Sequence, residues 1–455
     1  MLTCEERARF LLWSSKKRLI SVVVRSKSSF FLNLENLNKP SDVALVAFVP
    51  DKSRNLITER GSECFDLILF YDASKNTQTN VHHFDEVRIP DLEEFGDEMK
   101  ELIDLTKLQI FYSNESAPAP VCHLRQRLEL EGPYLRDLAH IRNKDLVKEV
   151  ARSHGIPTAK SIALNFAQID CEISTIVSKI ESAVGVYPMF KRPISLGGCQ
   201  GAEKIAARSD LLKWSKERIK LHDDRTYLIE EYLTGREFLA IVCLLRDGSF
   251  EPLVVKYLEF GWSNVMHIET GRPVPVFVDS FHNCESDFPN LRKFVTNVIN
   301  AFKPPSPQIF CVQGFQKTAG KDDYVLVELA HRPAGSRTNS VCYQSCGISQ
   351  ETALIMSHID PNYHPRVDPS WKRPRELALW FPQRKGILRN YTPMPGKENV
   401  KSEITAKWLV PLGTVMEQPK DINKHVLILT LFCEDRKQLL KDAKWIADNW
   451  RPVIL

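Results

Sequence analysis

Four polar blocks, each set beside an apolar run, occur in fixed order along this chain and constrain it more than its composition does. Lys144 opens the first, in RNKDLVKEVARSHGIP, and Lys191 lies in the second, YPMFKRPISLGGCQG. The third is the acidic run IEEYLTGREF, from Glu230 to Glu237. The last is YVLVELAHRPAG, with Glu328 and Arg332. Blocks so far apart can share one site only if the chain brings many strand ends together. The apolar runs between them must therefore build sheets.

They have the pattern to do so. LISVVV, DVALVAFVP, FDLILFYD and LQIFYSN are short β-rich runs, and DLEEFGDEMKELIDL between the last two has helical spacing. Strands separated by helical or irregular segments point to a parallel, Rossmann-like sheet over residues 1–120. It has no GxGxxG, so no dinucleotide site is assigned there, and PAP marks a join. A helical stretch follows, VCHLRQRLELEG and then LAHIRNKDLVKEVARSHG, stopped by Gly155 and Pro157. Residues 160–235 read as a small α/β module: strand SIALNF, helix CEISTIVSKIESAVG, strand YPMFKRPI, a glycine loop, helix SDLLKWSKERIKLH and strand TYLIEEYL.

Strands resume in FLAIVCLL, FEPLVVKYLEF and MHIET, then the helix FPNLRKFVTNVINAF and a hairpin of QIFCVQGFQK with DYVLVEL. After residue 370, RELALWFPQRKGILRNY, KWLVPLGTVM and KHVLILTLFCE suggest a β-rich terminal unit closed by EDRKQLLKDAKWIADNW. The expectation is an α/β (α+β) chain in three units, 1–120, 121–370 and 371–455.

A net charge of +4, with no Lys/Arg-rich run, gives no footprint for nucleic acid. The cysteines, 11 in all, are scattered from Cys4 to Cys433 and many sit in apolar runs. Reduced buried thiols fit that pattern better than a disulfide framework. Cys342 and Cys346 lack a second pair, which argues against zinc. The first residues, MLTCEERARFLLWSSKKRL, carry charge throughout and do not read as a secretory signal, and no run reaches membrane-spanning length. The expected location is cytoplasmic.

The blocks themselves suggest chemistry. Glycines after Lys191 let the backbone fold tightly and present N–H groups to phosphate oxygens, with Ser195, Gly197, Gly198, Gln200 and Gly201 in that loop. In IEEYLTGREF, alternation puts Glu230 and Tyr232 on the face opposite Glu231. A strand ending at a glycine turn, through residues such as Leu233, can offer backbone groups to a purine edge, and Glu237 beyond the turn can accept from sugar hydroxyls. If the hairpin around TAGKDD pairs symmetrically, Lys317 faces Tyr324 and Gln313 lies across from Glu328 on one sheet face. Arg332 shares the parity of Glu328. A carboxylate, an amide oxygen and a guanidinium there suit Mg²⁺, phosphate and developing negative charge.

Taken in order, these blocks resemble the ATP-grasp superfamily over roughly residues 130–350. The resemblance implies that Lys144 and Lys191 contact phosphates and that the glycine loop rides on a lid at about 160–235. It also implies that Glu230, Glu231, Tyr232, Leu233 and Glu237 hold the adenosine, and that Gln313 and Glu328 bind Mg²⁺ or Mn²⁺. Members mostly join a carboxylate to an amine through an acyl phosphate, with Arg332 as the catalytic cation. The usual pattern is E…E-x-N-x-R, whereas this chain has Gln313 in the first acidic position and Ala330 in place of Asn. The string E-x-A-x-R is that of bacterial L-amino-acid ligases, and the carboxyl-terminal segment is similar to that of carnosine-synthase-like enzymes. Lys256, His267 and Arg272 would then line the pocket for small-molecule carboxylate and amine substrates, probed first as amino acids, and relatives are often homodimers. A non-amino-acid carboxylate and a non-catalytic nucleotide binder are the alternatives.

Overall fold

In a computed structural model, which describes every residue except 1, 27–30, 32, 35, 58, 79–86, 195–198, 265–269, 336–337, 368–374 and 419–423, the amino-terminal runs form one parallel sheet. Helix α1 (Cys4–Lys16) opens on a capping box: the Glu6 amide donates to Thr3 Oγ1 and the Thr3 amide to the Glu6 carboxylate. Strands β1 (Leu19–Val24), β2 (Val43–Pro50), β3 (Leu67–Tyr71) and β4 (Leu108–Tyr112) lie in the order β3-β2-β1-β4, all pairs parallel. Both faces of this sheet are covered. Helices α2 (Pro90–Leu102) and α3 (Pro118–Leu128) pack Phe95, Met99, Val121 and Leu124 on one side. Every residue of β2 is consequently buried, which is why VALVAFVP is apolar throughout rather than alternating.

The helical stretch that follows is two helices, α4 (Leu135–Arg142) and α5 (Lys144–Ser153), where sequence spacing suggested one. Asn143 breaks it. Its backbone is extended, and its Oδ1 accepts from the amides of Asp145 and Leu146, so capping wins over continuation. Lys144 becomes the first residue of α5.

The α/β module at residues 160–235 holds the expected strands and helices and one short strand more. Strands β5 (Ser161–Asn165), β6 (Met189–Pro193), β7 (Glu203–Ile205) and β8 (Thr226–Glu231) form an antiparallel sheet ordered β5-β8-β6-β7. Helices α6 (Ile173–Val184) and α7 (Arg208–Lys220) cover one face through Ile176, Ile180, Leu211 and Trp214. Met189, Tyr227 and Ile229 meet them from the strands.

The largest sheet holds eight strands: β9 (Arg236–Leu244), β10 (Phe250–Leu258), β11 (Val274–Ser280), β12 (Gln308–Gln316), β13 (Tyr324–Ala330), β14 (Arg375–Pro382), β15 (Glu403–Trp408) and β16 (His425–Cys433). Their order is β13-β12-β9-β10-β11-β14-β16-β15, so the strands after residue 370 extend the same sheet. α5, α8 (Leu291–Phe302) and α11 (Arg436–Asn449) pack on one face. α9 (Thr338–Cys346), α10 (Gln350–Ile359) and the amino-terminal sheet pack on the other. The strand expected at MHIET falls on residues outside those described, apart from Thr270. Among the described residues no helix is long and apolar enough to cross a membrane.

The hairpin register departs from symmetry and then recovers it. Gln316 pairs with Tyr324 and Gly314 with Leu326, one residue off the expected pairing near the turn. An irregularity at Val327 resets the ladder, and Gln313 lies opposite Glu328 as anticipated. Gly314 is required beside it, because a Cβ there would sit 2.6 Å from the Val325 carbonyl and 2.8 Å from the Phe238 ring.

The parallel sheet is joined to the large one through histidines. His331 is buried, its Nε2 lying 2.6 Å from the Pro305 carbonyl and its Nδ1 2.6 Å from the Tyr112 hydroxyl. A carbonyl only accepts, so Nε2 carries the proton and Nδ1 accepts from Tyr112. Burial pushes the His331 imidazole down to about 4 and also lowers His358, which stacks on Phe111 at 3.9 Å. The unfolded chain, with imidazoles near the ordinary value of about 6.5, binds more protons between that pH and about 4. Stability is therefore expected to fall as pH drops through this window. Denaturant melts of His331→Gln should show a shallower loss from pH 7 to 4.5 than the parent protein, the remainder belonging to His358 and to carboxylates such as Asp223 and Glu230 that are held below their usual range.

Candidate active site

The lysines of α5, Lys144 and Lys148, are four apart and share a helix face. That face looks at the lid. Lys144 Nζ donates to the Ile194 carbonyl at 3.0 Å. Lys148, 1% exposed, is ion-paired to Glu230 of β8 at 2.7 Å. The other Glu230 oxygen lies 2.8 Å from Arg192 Nε on β6, and Arg192 Nη1 reaches Glu328 of β13 at 3.0 Å. Burial opposes charge on Glu230, but Arg192 and Lys148 hold its carboxyl below the usual range. Burial depresses the Lys144 ammonium despite the nearby Glu328. Glu230 is thus an internal partner in a buried ion network rather than the expected nucleotide contact.

Strand alternation changes the expected role of Lys191. Met189 faces the lid helices, so Lys191 does too; it pairs with Glu203 at 2.7 Å and lies 5.1 Å from the Trp214 ring centroid. Arg192 points the opposite way. The strand-end cation facing the acids is therefore Arg192, a residue the motif reading passed over. Placing Met189 in the lid core would have revealed it, since period-two alternation then decides the next residues.

Of the glycine loop, Ser195, Gly197 and Gly198 lie outside the described residues. Its far end is in place. Burial, then the charges of Glu237 and Glu328, push the Cys199 thiol up to about 12. Gln200 is exposed, and Gly201 has φ +68 with the Pro193 ring 3.1 Å from where a Cβ would sit. On the connecting strand, the Glu231 amide donates to the Lys160 carbonyl and ends the ladder. Tyr232 sits edge-on to Phe190 with the Lys204 ammonium 4.9 Å above its ring, and Leu233 is half-buried.

Below the lid, the large sheet presents one row. Glu328 pairs with Gln313, Gln313 with Leu239, and Leu239 with Lys256, so all four share a face. With strands about 4.8 Å apart, the row spans about 14 Å. Glu237, two residues before Leu239, is on the same face. Its carboxylate accepts from the Asn264 amide at 3.0 Å, Asn264 Nδ2 at 2.6 Å and Gln313 Nε2 at 2.7 Å. Burial raises its pKa. Burial likewise lowers the Lys256 ammonium, which lies 4.9 Å from the Trp380 ring centroid and makes no ion pair among the described residues.

Arg332 follows β13 and is gripped by Glu115, while its Nη1 donates to the Pro333 carbonyl at 2.9 Å. Glu115 sits just past the carboxyl end of β4, where parallel sheets usually present ligand loops. Nothing local in the sequence links it to Arg332. His267 lies outside the described residues. Arg272 is half-exposed over Trp262, 3.9 Å from Asp448 of α11, so its acidic neighbour is on the terminal helix rather than in the row. No group of three His, Cys, Asp or Glu among the described residues is placed to hold a metal, leaving Glu328 and the Gln313 amide as the donors.

Lys144, Arg192, Lys256 and Arg332 thus surround Glu237, Gln313 and Glu328, a setting that can neutralise a polyanion. Removing one partner of a buried pair leaves an uncompensated charge. Lys148→Met should cost about 3 kcal/mol in urea unfolding, and Lys148→Met combined with Glu230→Gln should cost less than the sum of the single changes.

Compared with known families, the sequence matches no family model. Solved structures are similar over nearly the whole chain. An L-amino acid ligase from Bacillus licheniformis superposes with a TM-score of 0.62 at 12% identity, over 95% of this chain and 98% of that one. A carboxyaminoimidazole ribonucleotide synthase from Aspergillus clavatus, complexed with ATP, gives 0.59 at 14% identity, over 96% and 100%. The biotin carboxylase domain of Hydrogenobacter thermophilus 2-oxoglutarate carboxylase, solved with MgADP, ADP and bicarbonate, gives 0.55 at 14%, over 91% and 86%. At such identities the likeness is one of fold.

Proposed function

We propose that this chain, which has the ATP-grasp fold, is an ATP-dependent carboxylate–amine ligase acting on amino acids, with residues 160–235 as its lid, 1–120 as a flanking unit and 371–455 extending the central sheet. The observation that carries this reading is the row Glu328–Gln313–Leu239–Lys256 on the sheet, with Arg192 reaching it from the lid and Arg332 beside it. Cations from separate elements converge there on a few acids, an arrangement suited to a triphosphate.

Lys144 and Arg192 contact phosphate oxygens, the loop through Gly201 lies over them, and the strand from Glu231 to Leu233 offers backbone groups to adenine. Glu237, already held by Asn264 and Gln313, accepts from the ribose. The metal test is met by the donor chemistry. Glu328 uses one oxygen on Arg192, the Gln313 amide nitrogen is spent on Glu237, and their remaining oxygens have no partner among the described residues. A carboxylate and an amide oxygen are hard donors of the kind Mg²⁺ takes beside substrate phosphates. When bound, Mg²⁺ neutralises charge on the transferring phosphoryl group.

A substrate carboxylate oxygen bonds to the γ-phosphorus and the bridging bond to ADP breaks, giving an acyl phosphate. The amine nitrogen of the second substrate then bonds to the acyl carbon, phosphate departs with the C–O bond pair, and the nitrogen loses its proton. Arg332, oriented by Glu115, stabilises the oxyanion of this second step, and Lys256 holds a substrate carboxylate. Most of the catalysis is positioning and charge neutralisation in a site closed to water.

The test is ADP and phosphate release from Mg-ATP across pairs of amino acids, with mass spectrometry of products. Release that needs a particular pair, and a product lighter than their sum by one water, supports the reading. ATP binding without release from any pair contradicts it. Arg332→Ala should lower kcat about 100- to 1,000-fold with nucleotide affinity retained. Arg192→Lys, which keeps a positive charge near Glu230 but loses the guanidinium fork, should weaken nucleotide binding about tenfold. Lys191→Ala should leave that affinity nearly unchanged.

A further inference from the structure

Four cations gather where β11 begins and β14 ends, against the carboxyl end of α11. Arg384 Nη2 donates to the Gly271 carbonyl at 3.0 Å, and a Cβ at Gly271 would sit 3.3 Å from that guanidinium. Arg272, next in the chain, shares Asp448 with Lys444, whose ammonium is 2.7 Å from the second oxygen. Arg451 Nη1 donates to the Trp450 carbonyl at 2.7 Å and approaches that of Ile446. Burial, then the charges of Arg384 and Arg272, lower Arg451.

The carboxyl-terminal carbonyls of α11 account for part of this, because cations are favoured there. Such carbonyls carry about half a negative charge between them. Lys444 and Arg272 already engage Asp448, Arg451 lies within the field of that carboxylate, and Arg384 lies near Arg451. Among the described residues, Arg384 and Arg451 have only backbone carbonyls as hydrogen-bond partners. Each spends a single guanidinium nitrogen on them, leaving most of a planar donor fork suited to carboxylate or phosphate oxygens. Aromatic rings floor the cluster, Trp262 under Arg272 and Phe260 under Lys444.

Its place in the sheet is also informative. Antiparallel pairing puts the start of β11 and the end of β14 at the same sheet end as Glu237 at the start of β9. β14 is three strands from β9, about 14 Å. We infer that Arg272, Arg384, Lys444 and Arg451 form an anion-binding site at this rim, taking the carboxylate or phosphate group of a small ligand that enters from the same edge. The inference needs only the cluster and does not depend on the ligation reading.

Calorimetric titration of the full chain with inorganic phosphate and with succinate, at low ionic strength, tests it. The parent protein should bind one of the two saturably. Arg384→Gln and Arg272→Gln should each weaken that binding about tenfold, with nucleotide affinity and thermal melting unchanged. Preference for phosphate identifies a phosphorylated ligand, and preference for succinate a carboxylate. Saturable binding of neither probe, or equal binding by the parent and by both variants, overturns the proposal. Arg272 is half-exposed, so its variant remains a usable test if Arg384→Gln fails to fold. ATP titrated separately shows whether nucleotide binding, and with it the ligase reading, stands or falls on its own.

Discussion

A line of alternating charge, Lys148–Glu230–Arg192–Glu328, holds the module at residues 160–235 to the rest of the molecule. It joins the helix α5, two lid strands and the edge strand β13. Desolvating charges is costly, and such a line survives only where each carboxylate finds its cations at close range. Because β6 and β8 pair directly, Arg192 lies opposite Leu228 and beside Glu230, so the lid sheet itself sets the geometry. Glu328 is the outlying member and is the more exposed end of its pair with Arg192. The network is therefore anchored inside the 160–235 module and opens onto the sheet row.

The row depends on a different constraint, the pleat. Side chains directly opposite one another across paired strands share a face, so Glu328, Gln313, Leu239 and Lys256 line up without any contact among distant loops. Two further bodies complete the setting. The amino-terminal sheet sends Glu115 to Arg332, and the loop before β11 sends Asn264 to Glu237. Both acids at Glu237 and Glu230 are consumed by the protein's own donors, which makes them supports for the site before they are contacts within it.

The sequence was most legible where periodicity is local. The four amino-terminal strands follow from short β-rich apolar runs, and the Gln313–Glu328 pair from alternation and a turn signal. The pair even survived a wrong assumption about the turn, because the irregularity at Val327 restores parity before Glu328. Legibility failed at neighbours within a motif. FKRP offers two adjacent cations, and only the packing of Met189 against the lid helices tells which one faces the acids. It failed also at Asn143, where helical spacing continued through a residue whose side chain prefers to cap.

What the sequence determined by itself was the order and type of most elements, the helices α1, α9 and α10 excepted, and the chemical kinds of group available: lysines, a glycine loop, an acidic strand and a Glu/Arg ending. These are properties of short stretches of chain, fixed by side-chain spacing and backbone preference. Tertiary structure alone decided that Arg192 rather than Lys191 meets Glu328, that Glu230 is spent on Lys148, and that Glu115 grips Arg332. Each of those is a choice of buried face or distant partner. Burial makes an unpaired charge costly, so the partner is set by whichever opposite charge the packed elements bring within reach, and no spacing along the chain records that distance.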